Sequence, residues 1–149
     1  MLGPLRNFAQ LPPERRSVVL SAMAELPRTA LVLRRRGFAI AHRRALATPR
    51  AEPGLSNKFN EHQIANLCQM AIRRGPFKGR CLTQSLVLLR LLTKHGLEGH
   101  LEIGARKQEG ELKAHAWVED AQGEPLNDHG DITTEYAEFG MAANRRESE

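Results

Sequence analysis

Apolar residues return every third or fourth position through the first two thirds of the chain, and every second position beyond residue 100. That change of period predicts helices followed by a small sheet. Val18, Val19, Ala22, Met23 and Leu26 form one face of a helix opening at Pro12-Pro13-Glu14, where proline is tolerated in the first turn. Pro27 is expected to break or bend it, and Ala30, Leu31 and Leu33 resume the pattern over 29–36. Gly37 punctuates before a further helical stretch over 38–46, and Pro49, Pro53 and Gly54 mark 47–57 as a linker or surface loop. Ile64, Leu67, Cys68, Ala71 and Ile72 then make the stripe of a helix over 59–74 that Gly75-Pro76 ends. Leu82, Leu86, Leu89 and Leu92, with Leu88 beside them, predict a buried helix starting at Cys81 and stopping at Gly96.

Past that helix, Leu101, Ile103 and Ala105 alternate with His100, Glu102 and Gly104, the pattern of a half-buried strand. Gln108-Glu109-Gly110 is a turn, and Leu112, Ala114, Ala116 and Val118 alternate with Lys113, His115, Trp117 and Glu119 in a second strand. A turn at Ala121-Gln122-Gly123-Glu124 leads to a third short strand at Pro125-Leu126-Asn127-Asp128. The turns are short enough for hairpins, so the sheet is expected to be antiparallel and the fold class α+β. Residues 131–139 read as a further strand or a short helix, and 141–149 as a flexible tail.

With 149 residues and 41% apolar content the chain can bury one core. Its net charge of +5 is unevenly spread, with Arg34-Arg35-Arg36 and Arg43-Arg44 in a basic first third and a mostly acidic final third. We read 1–50 as a basic helical region that docks on the rest, 51–140 as the main domain and 141–149 as tail. Neither aromatic interleaving nor zinc spacing accompanies the arginines, so nucleic acid is not an expected partner. No apolar run approaches a membrane span or a signal peptide, and Cys68 and Cys81 do not make a disulfide scaffold; a reducing cytoplasm is the expected compartment.

Cys81 carries the candidate chemistry. A thiol in a helix's first turn sits among unpaired backbone N–H groups and at the positive end of the helix dipole, both of which favour thiolate. A nucleophilic cysteine, then one histidine on a strand, then one acid, is the set that thiol acyl transfer needs. His115 lies mid-strand on the face opposite Ala114, Ala116 and Val118, and a helix packed across that face would bring Cys81 within reach. Trp117 shares the His115 face and is placed to wall a cleft. Cys68 falls in an apolar stripe and reads as core. His42, His62, His95 and His129 occupy polar or terminal settings that require no functional account. No Gly-rich phosphate loop and no cysteine pair of ligand spacing is present, so no cofactor and no metal is called for.

Several segments together resemble one family. They are Cys81-Leu82 with Ser85-Leu86, His95-Gly96-Leu97, Leu101-Glu102-Ile103-Gly104-Ala105-Arg106 and, most specifically, Ala114-His115-Ala116-Trp117-Val118-Glu119. These resemble the lasso peptide biosynthesis B2 proteins, leader peptidases of transglutaminase-like, papain-like fold, over about residues 79–128. The resemblance implies a Cys-His-Asp protease that removes the leader from a ribosomally made precursor peptide. Cys81 and His115 then take the nucleophile and base positions. Asp128 is the chosen acid, since a carboxylate orients imidazolium better than an amide. Asn127 stays an alternative, Asp120 is too close along the strand, and Asp131 is a distant second choice. The second oxyanion donor is open among Gln63, Asn66, Gln84 and the Gly79 region. Gln84 departs from the arginine that family members often carry there.

The resemblance also implies partners: the precursor's leader region, a separate leader-recognition protein (B1) and the lasso cyclase, an ATP-dependent macrolactam synthetase. The basic helices over 12–46 are the expected docking surface. Two other readings accompany this one, a transglutaminase-like acyl transferase and a non-catalytic leader-binding module of the same fold.

Overall fold

The computed structural model describes residues 8–47, 58–127 and 137–138. The first helix, α1, runs from Pro13 to Arg36 without interruption. Of the break or bend expected at Pro27, the break does not occur. Its missing N–H costs one backbone bond, but Pro27 lies on the exposed side, where the freed carbonyl can take water. Val18, Val19, Ala22 and Leu26 before it and Thr29 after it are buried along one face, and that packing carries the helix through. Gly37, at φ 84°, donates its N–H to the Leu33 carbonyl and accepts from the Ala41 N–H, so one residue closes α1 and opens α2, Phe38–Leu46. The linker expected over 47–57 lies, beyond Ala47, outside the described residues.

Helix α3, Glu61–Arg74, begins two residues later than its apolar stripe implies, because Asn60 caps it. The Asn60 side chain accepts from the Gln63 N–H at 2.9 Å and the Gln63 side chain accepts from the Asn60 N–H at 3.0 Å. Helix α4, Cys81–Lys94, is the most buried element, with Leu86, Val87, Leu88, Leu89, Leu91 and Leu92 all inside. One apolar core joins α1, α2, α3, α4 and the inner face of the sheet. Glu25 adds a polar tie across three helices. Its Oε2 lies 3.1 Å from Arg44 of α2 and 3.1 Å from Arg90 of α4, and the Arg90 Nη1 also donates to the Arg44 carbonyl.

Strands β1, His100–Gln108, and β2, Glu111–Glu119, form an antiparallel hairpin with Gln108 opposite Glu111. Glu109 (φ 52°) and Gly110 (φ 81°) supply the two left-handed residues of its tight turn. A two-residue strand β3, Ala137–Glu138, pairs with the other edge of β1, giving the order β2-β1-β3. Of the third strand expected at 125–128, the described residues 125–127 show a bridge between Glu119 and Pro125 and one backbone bond from the Leu126 N–H to the Val118 carbonyl, and Asp128 lies outside the described residues. Beside it the side chain of Asn127, in place of a backbone carbonyl, accepts the Val118 N–H at 2.8 Å.

The sheet is also less one-sided than alternation implies. Leu101, Ala116 and Val118 face the core, yet Glu102 and Glu119 on the opposite face are equally enclosed and Trp117 is wholly buried. Period-two alternation reports that the faces differ in polarity, not that one of them meets water.

Candidate active site

Helix α4 receives its N-terminus from a braced turn. Gly75 ends α3, and the Lys78 ammonium donates to the Ile72 and Arg73 carbonyls at 3.1 Å each, closing that helix's free carbonyls. Gly79 sits at φ 71°, and a Cβ there would come within 3.1 Å of the Thr83 methyl. Gln84, one turn into α4, donates its amide to the carbonyls of Lys78 (3.0 Å) and Gly79 (3.3 Å). Cys81 is thus the first helical residue, half-buried, following Arg80 in extended conformation. Its place among the helix's unpaired N–H groups follows from the turn rather than from a capping side chain.

One turn further along α4, Ser85 is fully buried and ties the helix to the sheet. Its hydroxyl donates to the Ala116 carbonyl at 3.0 Å and accepts from the Asn127 amide at 3.1 Å. Deeper in the helix, Leu89 and Leu92 meet the sheet at Val118 and Gly99, where an added Cβ on Gly99 would lie 2.7 Å from Leu92 Cδ1 and 3.2 Å from Val118 Cγ1. These two contacts give the helix a direction along β2, with its C-terminal half at Val118 and Ser85 at Ala116. Cys81, one turn before Ser85, and His115, one residue before Ala116, thus lie toward the same end from that anchor.

The helix packs on the Ala116 and Val118 face, not on the His115 face as the sequence reading expected. It meets β2 at its outer edge, where the carbonyl of Ala116 points away from β1. His115 is half-buried and its ring stacks on that of Trp117, with centroids 6.0 Å apart and planes 24° from parallel. The Trp117 indole N–H donates to Glu119 at 2.9 Å. His115, Trp117 and Glu119 thus form one row, and Glu102, opposite Trp117 on β1, adds a second buried carboxylate to that face.

The candidate acids divide sharply. Asp128 and Asp131 lie outside the described residues. The Asn127 side chain accepts from the Val118 N–H and donates to the Ser85 hydroxyl, so it braces the helix against the strand. Asp120 accepts from the Gln122 and Glu124 N–H groups at 2.9 Å and shapes the turn after β2. Of the proposed oxyanion donors, the Gln63 carbonyl belongs to the α3 capping box and the Gln84 amide to the turn before Cys81. Sequence reasoning did not assign Ser85 and Asn127 to this brace; the signal for Ser85 was a small polar residue one turn from Cys81 in an otherwise apolar stripe.

Burial pushes the Cys68 thiol up to about 12, which fits a core residue and excludes it as a nucleophile at neutral pH. His95 sits at the end of α4, buried, with its ring edge-on to Phe59. Burial and, less, the Lys94 charge hold its pKa below the usual value. His42 stacks on Phe38, and burial lowers its pKa too. Among the described residues no group of three His, Cys, Asp or Glu side chains could hold a metal ion, and no helix is long and apolar enough to cross a membrane.

Comparison with known proteins adds one finding. The family model for the transglutaminase-like superfamily matches residues 23–140, a span that holds both α4 and the hairpin. No curated protein and no solved structure matches the chain.

Proposed function

The chain belongs to the transglutaminase-like superfamily, and from that premise we propose that it is a cysteine endopeptidase that removes the leader from a lasso peptide precursor. The observation that supports this best is the common anchor: Ser85 joins α4 to β2 at Ala116, and Cys81, one turn before Ser85, lies toward the same end of the contact as His115, one residue before Ala116. In this reading the Cys81 sulfur attacks the carbonyl carbon of the scissile peptide bond as its proton passes to His115. The oxyanion that forms is met by backbone N–H groups at the start of α4. The imidazolium protonates the leaving amine, the C–N bond breaks and a thioester remains on Cys81. His115 then takes a proton from water, whose oxygen attacks the thioester, releasing the carboxylate product and the thiol. Asp128 holds the imidazole in its working tautomer.

The test is cleavage of a lasso precursor peptide, read by mass spectrometry with the leader-recognition partner present. His115→Ala should lose cleavage and Asp128→Asn should lower it by roughly 10²–10⁴-fold, the range set by orienting acids elsewhere. Asn127→Ala should keep turnover in whatever fraction folds. Asp128→Asn turning over at the wild-type rate removes Asp128 from the triad. An amine adduct in place of the free carboxylate would show acyl transfer instead of hydrolysis.

We place the partner on the basic helices. Among the described residues Arg34, Arg35, Arg36 and Arg43 pair with no carboxylate, in contrast to Arg28, Arg44 and Arg90 around Glu25. Reversing the charge of Arg34, Arg35 and Arg36 should weaken binding of the leader-recognition protein or its leader complex by about tenfold or more at low salt. Unchanged affinity in a titration at low ionic strength would move the docking surface elsewhere.

A further inference from the structure

The outer edge of β2 is taken over only part of its length. In a strand, the N–H and C=O of one residue point to the same side and those of the next to the other. The Val118 N–H and C=O point outward, to Asn127 and Leu126, and so does the Ala116 C=O, to Ser85. Ala114 and Leu112 share that direction by alternation. Among the described residues no chain pairs with this edge between Glu111 and His115, and all of 111–114 is exposed. Leu112 is 72% exposed, the most exposed large apolar side chain described. Protected edges are usually blunted by charge or covered, and an open one with a bare leucine is a template for another strand.

We infer that the open edge of β2 at Leu112 and Ala114 binds the peptide substrate, whose extended main chain pairs with it as an added strand. The occupant follows from the edge itself. Outward donors and acceptors recur every second residue, about 7 Å apart, the repeat of an extended peptide. The chain's own Leu126 already pairs in this way at Val118, so a substrate strand continues an existing interface. The edge also leads past the end of α4 that carries Cys81. A peptide held there passes the thiol with its backbone fixed, while Leu112 offers an apolar contact to one of its side chains. Sequence selectivity would then come from side chains seated beside a main-chain clamp. This inference rests on the endopeptidase reading above, since it assigns the substrate of that same site.

Ala114→Pro tests it, because Ala114 donates outward and its loss leaves the β1–β2 ladder bonds at Lys113 and His115 in place. With a lasso precursor peptide as probe, kcat/KM should fall about tenfold or more, mainly through KM, the effect of losing one main-chain bond and adding a steric bar. His62→Ala, exposed on α3 away from this edge, should cleave like wild type. Far-UV circular dichroism and the melting temperature of Ala114→Pro report whether it folds. If it does not, hydrogen exchange of the Cys81→Ala variant with the precursor bound decides. The Leu112 and Ala114 amides should then be protected relative to the free protein. Wild-type kinetics in a folded Ala114→Pro, or protection that leaves those two amides unchanged, overturns the inference while the endopeptidase reading stands. A wild-type protein that does not cleave the precursor overturns both.

Discussion

Cys81→Ala is expected to lower peptide cleavage by at least ~10³-fold while barely moving the melting temperature. The two halves of that expectation have different origins. Cys81 is the nucleophile in the proposed reaction, and no neighbouring group can replace its sulfur. It is also half-exposed at a helix start, so its truncation leaves no sealed cavity. Cys68 should behave in the opposite way. It is 2% exposed inside α3's apolar stripe, and Cys68→Ser buries a more polar hydroxyl among apolar neighbours, at a cost of roughly 1–3 kcal/mol. The folded fraction should still cleave. Thiol labelling separates the two directly: a small alkylating reagent at neutral pH should modify Cys81 in the native protein and Cys68 only after unfolding. Wild-type cleavage by Cys81→Ala would replace the protease reading with that of a leader-binding module.

Glu25→Ala is expected to destabilise the protein by about 2–3 kcal/mol, or roughly 5–10 °C in melting temperature. Glu25 is the one carboxylate at the meeting of α1, α2 and α4, with side-chain exposure of only 12%. Arg44 and Arg90 both approach its Oε2 at 3.1 Å, so removing it leaves two guanidinium groups facing each other in a partly enclosed space. Their own exposures, 30% and 23%, let water relieve some of the repulsion, which is why the figure lies below that for a sealed pair. Glu25→Gln should recover part of the loss by accepting one hydrogen bond without the charge. A thermal melt checks both, and an unchanged midpoint would mean that α2 is held by its apolar contacts alone.

Element types were legible in the chain because period and punctuation act locally. Gly37 between two helices, the helix start at Cys81 and the Glu109-Gly110 turn each follow from residues within one turn of the feature. Pro27 shows where local reasoning stops: its cost of about 3 kcal/mol is real, but the burial of Val19, Ala22 and Leu26 along α1 outweighs it. Asn127 shows the same limit for a polar residue. Next to Asp128 in sequence it is the alternative to that acid, and only the approach of Ser85, forty-two positions away, gives its amide a bracing role.

The sequence by itself determined that helices precede an antiparallel hairpin, that Cys81 opens a buried helix, and that His115, Trp117 and Glu119 share a strand face. Those are consequences of backbone geometry over a few residues. The tertiary structure decided which sheet face meets α4, that both faces are enclosed around Trp117, and that Ser85 and Asn127 lock helix to strand beside Cys81 and His115. Such choices depend on contacts between distant segments, where a buried polar group must find its partner or pay the full cost of desolvation.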